Sequence, residues 1–188
     1  MTIKTRWIET LYNIATGSRK VRNFFTPVGA LFYGFLIFGF VVIALKVDRL
    51  IGLTPIFPSS FRVVLSLPVF AVALFLIGWS VFNFMKVKGT PVPVNPPPKL
   101  VTTGPYAYSR NPMLTGVFAL QFGFGVFYGS ASLLVVFTPL FILLNVWELK
   151  AIEEPELVKR LGEDYVEYRK RTPMFFPGFG SIFNRKKY

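Results

Sequence analysis

Residues 111–147 read NPMLTGVFALQFGFGVFYGSASLLVVFTPLFILLNVW, thirty-seven consecutive positions without an Asp, Glu, Lys or Arg. One membrane-spanning helix needs about 20 apolar residues. This run is too long for one ordinary span and short for two. FYGSAS, at Phe127–Ser132, offers turn residues in its middle. The run therefore reads as a tight hairpin of two helices, about Asn111–Tyr128 and Ser130–Glu148. Gly116, Gly123, Gly125 and Gly129 keep the first arm thin. Pro139 is a point at which the second arm can bend.

The rest of the chain agrees with a membrane setting. Of its 188 residues 53% are hydrophobic and only 16% charged, against about 25% charged in soluble domains. The mean hydropathy is +0.51. Its length implies one domain, residues 1–188. The net charge of +12 flanks the apolar spans and forms no nucleic-acid face, so no nucleic-acid partner is expected. There is no cysteine and no histidine, which excludes disulfides, thiolate and imidazole metal sites and Ser-His-Asp catalysis. No metal is expected. Proton chemistry falls to carboxylates, Lys, Tyr or water.

Immediately before the hairpin stands KLVTTGPYAYSRNPMLTG, Lys99–Gly116. Two tyrosines (Tyr106, Tyr108), Arg110 and an Asn111–Pro112 step sit where polar chain enters the apolar run. A plain helix entry needs none of this chemistry. Gly104 permits unusual φ, and Pro105 fixes its own. Pro112 suits the first turn of a helix, whose free N–H groups favour an anionic group over the loop. The plainer reading is a loop that caps a membrane helix, with Tyr and Arg at headgroup level. Residues 89–98, GTPVPVNPPP, read as an extended, stiff linker of polyproline type.

After Trp147 the composition flips, and residues 148–188 hold seven of the nine acids and nine of the 21 basic residues. Glu148–Arg171 reads as a charged helix with Leu157, Leu161, Tyr165 and Tyr168 on one face and Gly162 weakening its middle. TPMFFPGFG then ends the helix and returns aromatics to the membrane interface, ahead of a basic tail, NRKKY. Glu153 and Glu154 lie just past the last span. They suit hydrogen bonds from hydroxyl or ammonium groups, or simply solvation of a helix end.

Towards the N-terminus, Phe61–Met85 forms a second span, with Pro68 as a point for a kink and Lys86 and Lys88 at its end. Pro27–Leu45 forms the first span, closed by Lys46, Asp48 and Arg49, and its Gly29, Gly34 and Gly39 suit close helix approach. Ile3, Trp7, Leu11 and Ile14 recur at helical spacing, so residues 3–16 read as an amphipathic helix on the membrane surface. Residues 1–22 lack the unbroken apolar core of a cleavable signal peptide. Lys and Arg number five in residues 1–25, three in 46–62, four in 86–110, nine in 148–188 and none at the hairpin turn. That bias puts both termini and the 86–110 loop in the cytoplasm.

The fold expected is all-α: an integral membrane bundle of four transmembrane helices, with an N-terminal amphipathic helix and a cytoplasmic C-terminal helix. Within the single domain, residues 1–25 form the interfacial helix and 26–88 the first two spans. Residues 89–110 form the loop, 111–148 the hairpin and 149–188 the cytoplasmic segment.

GPYAYSRNPMLTG, an uncharged hairpin, then EEPELVKRLGEDYVEYRKRTPMFFP together resemble the isoprenylcysteine carboxyl methyltransferase family, which is related to the membrane phospholipid N-methyltransferases. The resemblance covers about residues 95–177 with the spacing kept. It implies an α-helical membrane enzyme that uses S-adenosylmethionine and meets a lipid-like acceptor arriving sideways from the bilayer. Carried over by position, Lys99, Leu100 and Val101 line the cofactor pocket from a strand-like approach, and Tyr106 sits against the cofactor. Arg110, Asn111, Pro112, Met113 and Leu114 form the cofactor-facing helix start. Glu153 and Glu154 close the site, with Glu153 nearest the reaction. The family histidine is Asn111 here, which is neither cation nor base. The family tyrosine is Leu114. The arginine that would suit a carboxylate substrate is replaced by Leu149, with Lys150 beside it, which leaves an amine, thiol or other lipid nucleophile open. Two rivals remain at this point: an NADPH-dependent membrane reductase of related architecture, and a non-catalytic membrane scaffold or lipid-binding protein.

Overall fold

The computed structural model describes residues 2–87, 89–90, 92–97 and 99–176. Lys88, Pro98, Pro177 and the basic tail, all named in the sequence reading, lie outside the described residues. The described chain is helical, with no strand among its residues. Its helices are α1 (Ile3–Ala15), α2 (Arg19–Leu50), α3 (Ser59–Lys86), α4 (Pro112–Tyr128), α5 (Leu133–Leu161) and α6 (Glu163–Arg171).

Three of these, α2, α3 and α5, are long and apolar enough to cross a membrane. The fourth apolar helix, α4, has 17 residues. At 1.5 Å per residue that is about 25 Å, short of a hydrocarbon core of about 30 Å. α3 and α4 pack most extensively against each other. A Cβ on Gly116 would sit 2.9 Å from the Ala73 carbonyl, and one on Gly123 2.7 Å from Phe70. Glycine at both places is what lets α4 lie this close to α3. Gly34 and Gly39 of α2 face open space, contrary to the expectation of close helix approach there. Large apolar side chains such as Leu31, Phe35, Phe75 and Val135 point outward, which suits contact with lipid tails rather than water.

α2 begins eight residues before the expected start and carries Pro27 inside it. Ser18 caps its N-terminus, so helix forms in the polar segment and continues into the apolar one. The other end also differs. Asp48 does not close a span in solvent but is buried against the hairpin turn. Its carboxylate accepts from the Ser130 hydroxyl and, at 3.0 Å, from the Ser132 N–H. Arg62 donates to the Tyr128 carbonyl at 2.7 Å, and Ile56 N–H to the Gly129 carbonyl at 3.1 Å. The 48–62 linker thus closes the hairpin turn at one end of the bundle, with Gly129 in the left-handed conformation.

α5 does not stop at Glu148. It runs on to Leu161, with wide, π-type turns at Leu133–Phe137 and Leu149–Glu153. The charged helix expected over Glu148–Arg171 is broken at Gly162, whose φ of 62° and ψ of −138° suit glycine and no other residue. The Pro-rich linker is not straight. Asn95 N–H donates to the Val92 carbonyl at 2.9 Å, a β-turn with Pro93 at its second position. The turn lays Val92 against Gly29 of α2. α1 matches its expected span closely. Ile3 and Trp7 point outward, while Glu9 and Tyr12 meet Lys159 of α5: an ion pair at 2.6 Å and a cation 4.2 Å above the ring.

Candidate active site

Opposite the hairpin turn, a cavity of about 650 Å³ lies between α2, the 92–101 segment, the start of α4, the end of α5, and α6. Its volume falls in the range of small-molecule sites. Its walls are mostly apolar, with charged groups gathered along α5.

The GPYA turn (Gly104–Ala107) forms one wall. Gly104 has φ 60°, and a Cβ there would collide with the Asn83 side chain, so only glycine fits. The turn delivers Tyr106 into the wall, with its ring edge-to-face on Phe84 at 4.9 Å. Tyr168 of α6 is 3% exposed and donates its hydroxyl proton to the Tyr106 carbonyl at 2.7 Å, with the Ser109 carbonyl at 3.4 Å. The C-terminal strap ties down the same loop. Arg110 N–H donates to the Pro173 carbonyl at 2.9 Å, and Asn111 N–H to the Met174 carbonyl at 3.1 Å. The Ser109 hydroxyl and the Asn111 side-chain amide also donate to the Met174 carbonyl.

Most of the residues singled out from sequence converge here. Lys99, Leu100, Val101, Tyr106, Arg110, Asn111, Met113, Leu114 and Glu153 all line the cavity. The approach of Lys99–Val101 is irregular rather than strand-like, because no neighbouring chain pairs with it. Pro112 points the other way, into a smaller apolar cavity of about 430 Å³ beside Trp79, Tyr108 and Phe175. Glu154 does not line the large cavity. It pairs behind the wall with Arg110 and lies 3.7 Å from Arg169. The same nitrogen of Arg110, Nη1, also donates to the Tyr165 hydroxyl at 3.3 Å, while its buried Nε has no partner among the described residues.

Other cavity residues were not singled out from sequence as site residues: Tyr33, Asn145, Glu148, Glu156 and Arg160. Tyr33 donates to the Asn145 side-chain carbonyl at 2.8 Å across α2 and α5. Arg160 Nε donates to Glu156 at 2.8 Å. The signal for the α5 set was spacing: Leu149, Glu153, Glu156, Leu157 and Arg160 recur three or four residues apart, one helix face. The sequence reading of that helix followed a different face, Leu157, Leu161, Tyr165 and Tyr168. By contrast, Glu148 and Glu153 have no hydrogen bond or ion pair with a described residue. Two carboxyl groups without a hydrogen-bond partner therefore face the cavity, Glu153 within reach of the Arg160 charge.

The tyrosines of the loop and α6 act as neutral hydroxyls. Burial pushes Tyr165 up to about 12, with the Glu154 charge adding to it. Burial likewise raises Tyr106 and Tyr168 well above the ordinary tyrosine value. At physiological pH they stay protonated: Tyr168 donates its hydrogen bond and Tyr165 accepts one from Arg110.

Residues 61–164, more than half of the chain, match the family model described as phospholipid methyltransferase. The chain belongs to the phospholipid methyltransferase family. The matched segment runs from α3 through the Tyr106 turn, Arg110, the hairpin and the carboxylate face of α5. It therefore contains most of the cavity wall. The family is one of membrane methyltransferases, in line with the three long apolar helices. The chain is also 33% identical over 79 residues to the nickel-cobalt-cadmium resistance protein NccN of Alcaligenes xylosoxydans xylosoxydans. That match covers 42% of this chain and 36% of the relative, so the chain spans about a third of that protein's length. Among the described residues no group of three His, Cys, Asp or Glu side chains is placed to hold a metal ion. No solved structure matches the chain.

Proposed function

We propose that this phospholipid methyltransferase family member uses S-adenosylmethionine to methylate an amine on a lipid-like acceptor. The whole of residues 1–188 acts as one domain, α4 counts as a fourth, short span, and both termini and the cavity face the cytoplasm. The observation that carries the reading is the cavity. It brings the loop before the hairpin, the start of α4 and Glu153 of α5 around one space of small-molecule size.

The residues present fit the cofactor. Tyr106, Leu100, Val101, Met113 and Leu114 offer aromatic and apolar surface for an adenosine, with polar groups along α5 for the amino-acid arm. Lys99, Arg110, Asn111 and Glu154 complete that wall, Arg110 and Glu154 by holding each other, and Pro112 by starting α4. When bound, the cofactor supplies a methyl group already activated by its sulfonium. The protein's task is then alignment and exclusion of water. Glu153 is the residue placed nearest the reaction. As the nitrogen–methyl bond forms and the sulfur–methyl bond breaks, the nitrogen gains positive charge and sheds a proton. Glu153 offsets that charge or accepts that proton. Glu148 and Glu153, which make no hydrogen bond to a described residue in a largely apolar space, suit an amine head.

The test is Glu153→Gln. Methyl transfer from radiolabelled S-adenosylmethionine into a membrane lipid extract should fall roughly 10²–10⁴-fold, the usual worth of a positioned base. Binding of S-adenosylhomocysteine should stay within a few-fold. Turnover close to wild type would take the catalytic role away from Glu153. A folded wild-type protein that binds neither nucleoside would end the reading altogether.

A further inference from the structure

We propose that Arg160, held by Glu156, forms a carboxylate-binding subsite at the end of the cavity and grips the amino-acid carboxylate of the nucleoside cofactor; this rests on the S-adenosylmethionine reading above. Among the described residues three cationic side chains line the cavity: Lys99, Arg110 and Arg160. Arg110 is tied through one nitrogen, Nη1, to both Glu154 and the Tyr165 hydroxyl, while its buried Nε has no partner among the described residues. Lys99 is exposed and makes no ion pair with a described residue. Arg160 is anchored at the opposite edge of its guanidinium, through Nε, which leaves the Nη pair as its open end. Its side chain is 12% exposed, and one edge is fixed through Nε on Glu156, itself 3% exposed. Its two Nη groups have no hydrogen-bond partner among the described residues. A guanidinium fork with one side anchored and the other side open is the geometry that takes a carboxylate in two parallel bonds.

Position along the helix agrees. Glu153 and Arg160 are seven residues apart on α5, two turns on one face, or about 10 Å. An aminobutyrate arm reaching from a sulfonium near Glu153 runs toward Arg160 along that face. The opposite order would place the carboxylate against Glu148 and Glu153, acidic side chains that offer it no cationic fork.

The experiment compares S-adenosylhomocysteine with its decarboxylated analogue by calorimetry on the purified full-length protein, for wild type, Arg160→Met and Arg160→Lys. The two ligands differ only in the carboxylate. Wild type should prefer the carboxylate-bearing ligand by about 10- to 100-fold, the usual worth of a charged hydrogen bond. Arg160→Met should lose that preference and keep the analogue's affinity within about two-fold, which also reports an intact fold. Arg160→Lys keeps the charge without the fork and should retain part of the preference, and it provides the reading if the Met variant does not fold. A full preference in either variant overturns the subsite, as does equal affinity for the two ligands in wild type. Wild type binding neither ligand instead overturns the cofactor reading on which the subsite rests.

Discussion

Replacing Tyr168 by Phe removes one oxygen atom from the buried junction between α6 and the GPYA turn. The ring stays, so its packing beside Tyr165, 6.3 Å between centroids, is kept and no cavity opens. What is lost is the donor to the Tyr106 carbonyl at 2.7 Å and the weaker approach to the Ser109 carbonyl at 3.4 Å. Residue 168 is 3% exposed, so water does not readily replace the hydroxyl. An acceptor left bare in such a place costs about 1–3 kcal/mol. For a chain of this size each kcal/mol lowers Tm by about 2–4 °C, so a fall of roughly 2–12 °C is expected in detergent. Because the same turn carries Tyr106 into the cavity wall, S-adenosylhomocysteine affinity should weaken several-fold as well. Tyr165→Phe serves as the comparison. It loses only a 3.3 Å contact from Arg110, so its effect should be the smaller of the two. Thermal unfolding and calorimetry in which Tyr168→Phe matches wild type would refute the claim that α6 pins the cavity loop.

Asp48→Ala removes the acceptor for the Ser130 hydroxyl and the Ser132 N–H, and should cost about 1–2 kcal/mol, as a lost helix cap does. Ligand affinity should not change, since the hairpin turn is at the other end of α4 from the cavity; an equal loss of both would tie the two ends together. Gln121 is fully buried in α4, with neither amide atom hydrogen-bonded to a described residue. Gln121→Met should therefore raise Tm, and a lower Tm would reveal a partner for the amide. Reporter fusions at residue 188 and within residues 50–58 should lie on opposite sides of the membrane; the same side for both would contradict the four-span topology.

The helical, membrane-embedded character of this protein was legible in the chain itself. Hydropathy runs, glycine placement and the Lys/Arg distribution are local properties, and a helix satisfies its own backbone in lipid. Hence α1, α3 and the hairpin arms lie close to where periodicity puts them, and the resemblance to the family was carried by motif spacing alone. Helix ends were less legible. α2 starts early because a serine cap and a compatible Pro27 let helix cross the polar boundary, and α5 continues past Glu148 because charge does not break a helix. Gly162, with its positive φ, does. The chemical assignments depended on pairings between distant segments. No local pattern tells that Glu154 faces away from the cavity to hold Arg110, while Glu153, its neighbour, faces inward. Adjacent helical residues point about 100° apart, and which direction is the interior is set by the helices packed around them. The same holds for Asp48, which hydropathy reads as a span end. Folding makes it the cap of a turn more than eighty residues away. Arg160 could be read in sequence only as one charge among many. Glu156 stands four residues before it on the same helix, a local spacing, but the burial of the pair and its place on the cavity come from tertiary packing.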